Sequence, residues 1–231
     1  MDFHAFPGAE WLVALGGILF LNLILSGDNA VLIALASKNL PRDQRKKAVI
    51  WGSAGAVILR ILLTFVAAFL LEVPYLQCAG GLALLWIAIS LISKSDDEVN
   101  CSQASCLAEA IKTILAADML MSLDNVLALA AVAQTVTSGK YLLITVGLAT
   151  SVPLVVFGAQ MLMGLMDRFP IIIYIGAGVL GYAAAEMILG DKVIGALLEH
   201  YELPVQIGLT MAVIAIGYWR KTRAVHVKEL S

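Results

Sequence analysis

The chain has 231 residues, of which 61% are hydrophobic and 14% charged, and its mean hydropathy is +0.91. Water-soluble domains carry about 25% charged residues, so this composition excludes a soluble globular protein and indicates an integral membrane protein. The net charge of −2 says little about partners, because in a membrane protein the placement of charges matters more than their sum.

Seven apolar segments are long enough to cross a bilayer, since a spanning helix needs about 20 predominantly apolar residues. They cover about residues 11–37, 47–71, 75–93, 107–133, 141–165, 170–190 and 204–220. Polar or basic connections separate them, the longest being 94–106 and 191–203. We therefore predict an all-α polytopic membrane protein with seven transmembrane helices in a single transmembrane domain over 1–231.

The distribution of Lys and Arg predicts the orientation, because the cytoplasmic loops of membrane proteins carry an excess of both residues. We place the basic loop 38–47 in the cytoplasm. Of the 15 Lys and Arg residues, twelve then lie on the cytoplasmic side, Lys140 and Lys192 lie outside, and Arg60 lies within a span. We expect a multi-pass protein of a bacterial inner (cell) membrane, with its N-terminus outside and a cytoplasmic tail over 221–231.

One polar motif occurs twice, inside the first and the fourth predicted spans. The first copy is Ser26-Gly27-Asp28-Asn29, and the second, 96 residues later, is Ser122-Leu123-Asp124-Asn125. The match extends to Asn22 and Asp118, four residues before each serine. Further matching positions are Pro74 with Pro170, Gly80 with Gly176 and, after a one-residue gap, Gly52 with Gly147.

This duplication predicts an inverted-topology repeat. Each half contains three spans, so the second half enters the membrane from the opposite side. The repeats are about 10–93 and 107–190, joined by the cytoplasmic connector 94–106 and followed by an extra helix over 204–220. Such repeats are common in secondary transporters, which bind substrate near the midplane between the halves.

The motif residues form a wide polar stripe on each of the two helices, because residues three or four apart share a helix face. A stripe of this kind must face protein or water and not lipid. If the two stripes face each other, their oxygen ligands suit a hard divalent cation such as Mg²⁺, Ca²⁺ or Mn²⁺. The candidate metal ligands are Asn22, Ser26, Asp28, Asn29, Asp118, Ser122, Asp124 and Asn125.

Other interpretations of these charges stay open. Ser and Asn also link packed membrane helices by hydrogen bonds, although that role does not require three aspartates. Clustered carboxylates repel one another and would share a proton when the cation is absent, which offers a route to proton antiport. Arg60 is expected to pair with the acids or to reach an interface. Glu186 is either a further acid or relay, or a carboxylate that reaches water near its helix end.

The cysteines do not indicate a disulfide framework. Cys101 and Cys106 lie in the connector with four residues between them. This spacing lacks the paired pattern of a zinc site, so reduced thiols are expected, with a metal clip as the alternative.

The two motifs also carry a resemblance to a known family. The sequence Asn-Leu-Ile-Leu-Ser-Gly-Asp-Asn-Ala-Val, from Asn22 to Val31, and its counterpart Asp-Met-Leu-Met-Ser-Leu-Asp-Asn-Val-Leu, from Asp118 to Leu127, resemble the TerC family of integral membrane proteins. The resemblance covers about residues 10–220 and implies a LysE-like exporter built from two three-helix repeats. It implies Mn²⁺ export, with Asp28 and Asp124 as the central acids.

We therefore expect a secondary transporter and not an enzyme, with no tightly bound cofactor and no nucleic-acid partner. Its partners would be a divalent cation, manganese first, together with protons and the lipid bilayer. The alternatives are export of calcium or of small organic solutes, or a non-transporting role in metal loading of exported proteins or in tellurite and stress resistance. The sequence leaves the coupling ion and the oligomeric state open, a dimer included.

Overall fold

A computed structural model describes residues 9–24, 27–70, 73–93, 103–133 and 139–229. The described part of the chain contains helices and no strand, which confirms the predicted all-α class. The helices are α1 (Ala9–Ile24), α2 (Gly27–Ser37), α3 (Arg42–Leu70), α4 (Leu76–Ser93), α5 (Gln103–Ala133), α6 (Lys140–Arg168), α7 (Ile171–Gly190), α8 (Ile194–Leu198) and α9 (Glu202–Glu229), with a 3₁₀ turn over Glu199–Tyr201.

Five of the described helical segments are long and apolar enough to cross a membrane. They lie in α3, α4, α6, α7 and α9 and coincide with five of the predicted spans. Large apolar side chains face outwards along them; Trp86 and Phe157, for example, are 67% and 68% exposed. Such a surface fits lipid and not water, so the protein is a polytopic membrane protein.

Within the first predicted span, 11–37, the structure describes α1 as far as Ile24 and α2 over Gly27–Ser37, and residues 25 and 26 lie outside the described part of the chain. The Asp28 side chain accepts a hydrogen bond from the Asn29 backbone N–H at 2.7 Å. The Asp28 carboxylate is therefore held against the backbone of its own helix.

The ends of three helices differ from the prediction. Helices α3 and α5 begin several residues before the predicted starts at 47 and 107. The proposed tail 221–231 is helical as far as Glu229, because α9 continues past the predicted end at residue 220. Lys and Arg favour helix, so the basic residues that end the span do not end the helix.

Contacts between helix ends divide the connections into two sides. On the first side, Arg45 near the start of α3 pairs with Asp167 near the end of α6, at 2.6 Å. The Lys221 ammonium in α9 lies 6.0 Å from the ring centroid of Tyr174 in the first turn of α7. Arg45 and Lys221 are among the residues that the charge distribution predicts to be cytoplasmic.

The opposite side is organised by Asp191, the residue after α7. Its buried carboxylate accepts hydrogen bonds from the backbone N–H groups of Val193 at 3.0 Å, Ile194 at 3.3 Å and, across the bundle, Cys78 at 3.3 Å. Burial alone would raise the pKa of Asp191, but these bonds and one from the Tyr75 N–H outweigh it and lower the pKa. Asp191 thus joins the start of α4 to the end of α7.

The helix contacts follow a pattern that is preserved when the two halves are exchanged. Helix α3 packs along α5, and its predicted counterpart α6 packs along α1 and α2, the predicted counterparts of α5. Helices α4 and α7, which are predicted counterparts of each other, pack together. Gly52 in α3 lies against Ile114 in α5, and Gly147 in α6 lies against Ile18 in α1. The two isoleucines are 96 residues apart, and the two glycines are the pair matched by the one-residue gap.

The apolar core lies between α2, α4, α5, α6 and α7, with α9 packed against α4 and α7. Cys106 belongs to a smaller apolar cluster with Leu40, Ala48 and Ala110. It is disulfide-bonded, so the expectation of a reduced thiol is wrong for Cys106; Cys101 lies outside the described residues. Sequence spacing carries no information on thiol oxidation, which explains the error.

Candidate functional site

A buried ion pair links α3 to α5. Arg60 Nη2 donates to Asp118 Oδ1 at 2.6 Å, and Arg60 Nε donates to Ser122 Oγ at 3.0 Å. The Ser122 hydroxyl in turn donates to Asp118 Oδ2 at 3.2 Å. Asp118 and Ser122 are four residues apart and so share one helix face. The exposed fractions of Arg60, Asp118 and Ser122 are 4%, 3% and 0%, so the three side chains form a closed network away from the surface.

A small cavity adjoins this network. Its volume is about 20 Å³, enough for one water molecule or one small ion. Helices α2, α3, α5 and α6 line it, with polar groups from Asn29, Ser53, Arg60 and Asp118 and apolar groups from Ile33, Ala56, Val57, Val152 and Val155. Helices of both predicted halves therefore meet at the cavity.

The start of α2 brings the first motif to this region. Asn29 is 3% exposed and lines the cavity. Asp28 is partly buried and lies within electrostatic range of both Arg60 and Asp118. Residues from both copies of the motif are thus close together in the fold.

Ser53 is a pocket residue that the sequence analysis missed. It is 3% exposed, and its hydroxyl has no hydrogen-bond partner among the described residues. Ser53 precedes Arg60 by seven residues, which places both on one face of α3. This spacing is the signal that could have identified it.

The predicted site residues divide into three groups. The structure brings together Asp28, Asn29, Arg60, Asp118 and Ser122. Glu186 lies apart from them. Outside the described parts of the structure are Ser26 and the side chains of Asn22, Asp124 and Asn125.

The prediction of Glu186 as a further acid or relay at the site does not agree with the structure. Its side chain is exposed on α7 and hydrogen-bonded to Tyr182. Glu186 is four residues before the end of α7 at Gly190, so its carboxylate lies within reach of the aqueous interface.

The polar groups around the cavity are oxygen ligands of hard type, from carboxylates, an amide and a hydroxyl. Neither imidazole nor thiolate is among the residues that line it. Among the described residues there is no group of three His, Cys, Asp or Glu side chains placed to hold a metal ion. The described carboxylates near the cavity are Asp28 and Asp118, and Arg60 neutralises Asp118.

Comparison with known proteins identifies relatives over most of the chain. The sequence profile described as "Integral membrane protein TerC family" matches residues 7–225. The membrane protein YjbE of Bacillus subtilis (strain 168) is 40% identical over 192 residues, which cover 83% of this chain and 86% of YjbE.

Two more distant relatives match 85% and 69% of the chain. YkoY of Bacillus subtilis is 28% identical over 221 residues, covering 85% of this chain and 68% of YkoY. The inner membrane protein YgdQ of Escherichia coli (strain K12) is 26% identical over 178 residues, covering 69% and 73%. No solved structure matches.

Proposed function

Because the chain belongs to the TerC family of integral membrane proteins, we propose that its buried polar pocket serves a secondary transporter that exports a divalent cation, manganese first. The observation that carries this proposal is the convergence of Asp118, Asn29 and Ser53 on one cavity. Ionisable groups at membrane depth are costly and usually mark a substrate or ion pathway.

The inverted repeat is part of this proposal, with repeats over 10–93 and 107–190, and the helix packing supports it. In the alignment with the one-residue gap, Val57 corresponds to Val152, and both residues line the cavity. This correspondence supports a pseudo-twofold axis that passes through the cavity. Secondary transporters with inverted repeats bind their substrates in such a place.

The choice of cation follows from the ligand types. Carboxylate, amide and hydroxyl oxygens suit Mg²⁺, Ca²⁺ and Mn²⁺, whereas Zn²⁺ and Cu⁺ favour imidazole or sulfur. Manganese is placed first because the resemblance to the TerC family implies it. Arg60, the basic group among the described residues that line the cavity, is held by Asp118. This pairing disfavours anionic or zwitterionic organic solutes, whose carboxylates are bound by basic groups and helix N-termini.

We further propose export by exchange for protons across a bacterial inner membrane. The similarity to the inner membrane protein YgdQ supports the location. A cation binds the ionised form of a carboxylate, so cation and proton compete for the same oxygens. A proton gradient could then drive the cation outwards through one site.

The test is Mn²⁺ transport by purified protein in proteoliposomes, with and without a pH gradient. The replacement Asp28→Asn removes one charge and keeps the side-chain shape, so we expect it to abolish transport. The matched control is Asp43→Asn, at an exposed aspartate in the first turn of α3, which should transport as wild type. If Asp28→Asn transports Mn²⁺ normally, the Asp28 charge is not needed for transport, and the motif serves only to link helices by hydrogen bonds.

A further inference from the structure

We propose that Arg60 sets the charge of the cation site, so that Asp118 acts as the counter-ion of Arg60 and not as a ligand of the cation. This inference rests on the proposed function and gives Asp118 a different role from the metal ligand that the motif predicts. Arg60 would then be a specificity-determining residue that need not touch the cation.

The first support is the geometry of Asp118. Both of its carboxylate oxygens are engaged: Oδ1 by Arg60 at 2.6 Å and Oδ2 by Ser122 at 3.2 Å. The pair is almost fully buried, with 5% and 4% of the two side chains exposed. Separating a buried ion pair leaves two desolvated charges without partners, so Asp118 is poorly suited to leave Arg60 for a passing ion.

The second support is independent and comes from the asymmetry between the halves. The counterpart of Asp118 in the first half is Asn22, and the counterpart of Arg60 in the second half is Val155, in the alignment with the one-residue gap. The second half thus has one more acid, and the first half has one more base. Val155 lines the same cavity as Arg60, so the extra charges lie at one site.

The charge balance follows directly. Among the described groups at the cavity, Asp28 and Asp118 contribute a formal charge of −2, and Arg60 brings the total to −1. Arg60 thus makes the site one unit less negative. Without Arg60 the site would bind a trivalent ion better relative to a divalent one, since each uncompensated charge in a poorly solvated site has a large electrostatic effect.

The test compares the wild type with Arg60→Gln, Asp118→Asn and the double variant in purified full-length protein. The double variant removes both charges at once, and its asparagine keeps the shape of Asp118 while its glutamine is shorter than Arg60. Binding of Mn²⁺ is measured by calorimetry, and binding of Tb³⁺ by its luminescence. The melting temperature is measured without added metal. The control pair is Arg45 with Asp167, which is partly exposed and should contribute little.

We expect Asp118→Asn to lower the melting temperature by about 10 °C, because it leaves Arg60 buried and unpaired. It should also weaken Mn²⁺ binding. The double variant should regain most of the melting temperature and about tenfold or more of the lost affinity. Arg60→Gln should raise the preference for Tb³⁺ over Mn²⁺ about tenfold or more, and the double variant should return it towards that of the wild type.

Two results would overturn this assignment. If the double variant binds Mn²⁺ as weakly as Asp118→Asn, then Asp118 is a ligand and not a counter-ion. If Arg60→Gln leaves the ratio of Tb³⁺ to Mn²⁺ affinity unchanged, Arg60 does not set the charge. A wild-type protein that binds no Mn²⁺ would refute the proposed function itself, and with it the inference that rests on that function.

Discussion

The contact between α4 and α7 offers a sharp test of the helix packing, because two adjacent glycines meet different neighbours. A Cβ on Gly81 would lie 2.6 Å from Ile188 Cγ1, 2.7 Å from the Ala184 carbonyl oxygen and 3.2 Å from the Ile188 nitrogen. Two of these atoms belong to the backbone of α7 and have no rotamer to change. Gly81→Ala should therefore push the two helices apart.

Gly80 is the matched control. A Cβ there would meet the terminal methyl of Met187 and lie 3.4 Å from Leu120 Cδ2. The methionine side chain is unbranched and adapts easily. Gly80→Ala should therefore have a small effect at the same depth in the same helix.

The expected difference follows from the cost of overpacking, about 1–3 kcal/mol. For a protein of this size, about 1 kcal/mol corresponds to a change of about 2–4 °C in melting temperature. We expect Gly81→Ala to lower the apparent melting temperature by about 3–10 °C, and Gly80→Ala by less than about 3 °C. The assay is size-exclusion chromatography of detergent-solubilised protein after heating, at one fixed heating rate because membrane proteins often unfold irreversibly. Equal shifts for the two variants would show that the backbone approach at Gly81 does not limit the packing.

Three further predictions concern orientation, pH and proton release. A reporter fused after Ser231 should be active in the cytoplasm and a tag inserted at Ser138 should be accessible outside; the reverse pattern would overturn the orientation. Asp191→Asn should lower the melting temperature near neutral pH. The pKa of Asp191 is lowered in the fold, so its stabilisation is present above the ordinary aspartate pKa of about 3.9 and is lost as the pH falls through the folded value. The effect of Asp191→Asn should therefore shrink in acid, and an unchanged effect there would contradict this reasoning. Mn²⁺ affinity should fall as the pH is lowered, with protons released on binding; calorimetry in buffers of different ionisation enthalpy would count them, and a count of zero would rule out proton coupling at this site.

Much of the fold was predictable because hydropathy reports directly on the bilayer. Apolar segments of about 20 residues have one favourable structure in lipid, the helix, so the spans of α3, α4, α6, α7 and α9 were recognisable. The partition of the basic residues agrees with the two sides defined by Arg45 with Asp167 and by Asp191 with Cys78. Helix starts were less predictable, because α3 and α5 begin in the polar connections before their spans, where hydropathy no longer marks the helix.

The candidate site was predictable in part, for a related reason. Asp28, Asn29 and Asp118 were identified because polar groups inside a span require an explanation. Ser53 was missed because a single serine in a span is common and is tolerated by a hydrogen bond to the helix itself. The position of Glu186 depends on how α7 is rotated, and α7 has almost no amphipathic pattern from which the rotation could be predicted, since it is apolar nearly all round.

The ion pair between Arg60 and Asp118 also constrains how the halves can move. Arg60 belongs to the first predicted repeat and Asp118 to the second, so separating α3 from α5 would break a buried pair, at a cost of about 3–5 kcal/mol. We therefore hypothesise that α3 and α5 move together, and that α6 moves with α1 and α2. A thiol cross-link between Gly55→Cys and Leu115→Cys tests this, because a Cβ on Gly55 would lie 2.8 Å from Leu115 Cδ2. In a background without the native cysteines, cross-linked protein should transport Mn²⁺ in proteoliposomes at nearly the rate of the same variant before cross-linking. Transport that stops on cross-linking and returns on reduction would mean that α3 and α5 must separate, and that the ion pair opens in every cycle.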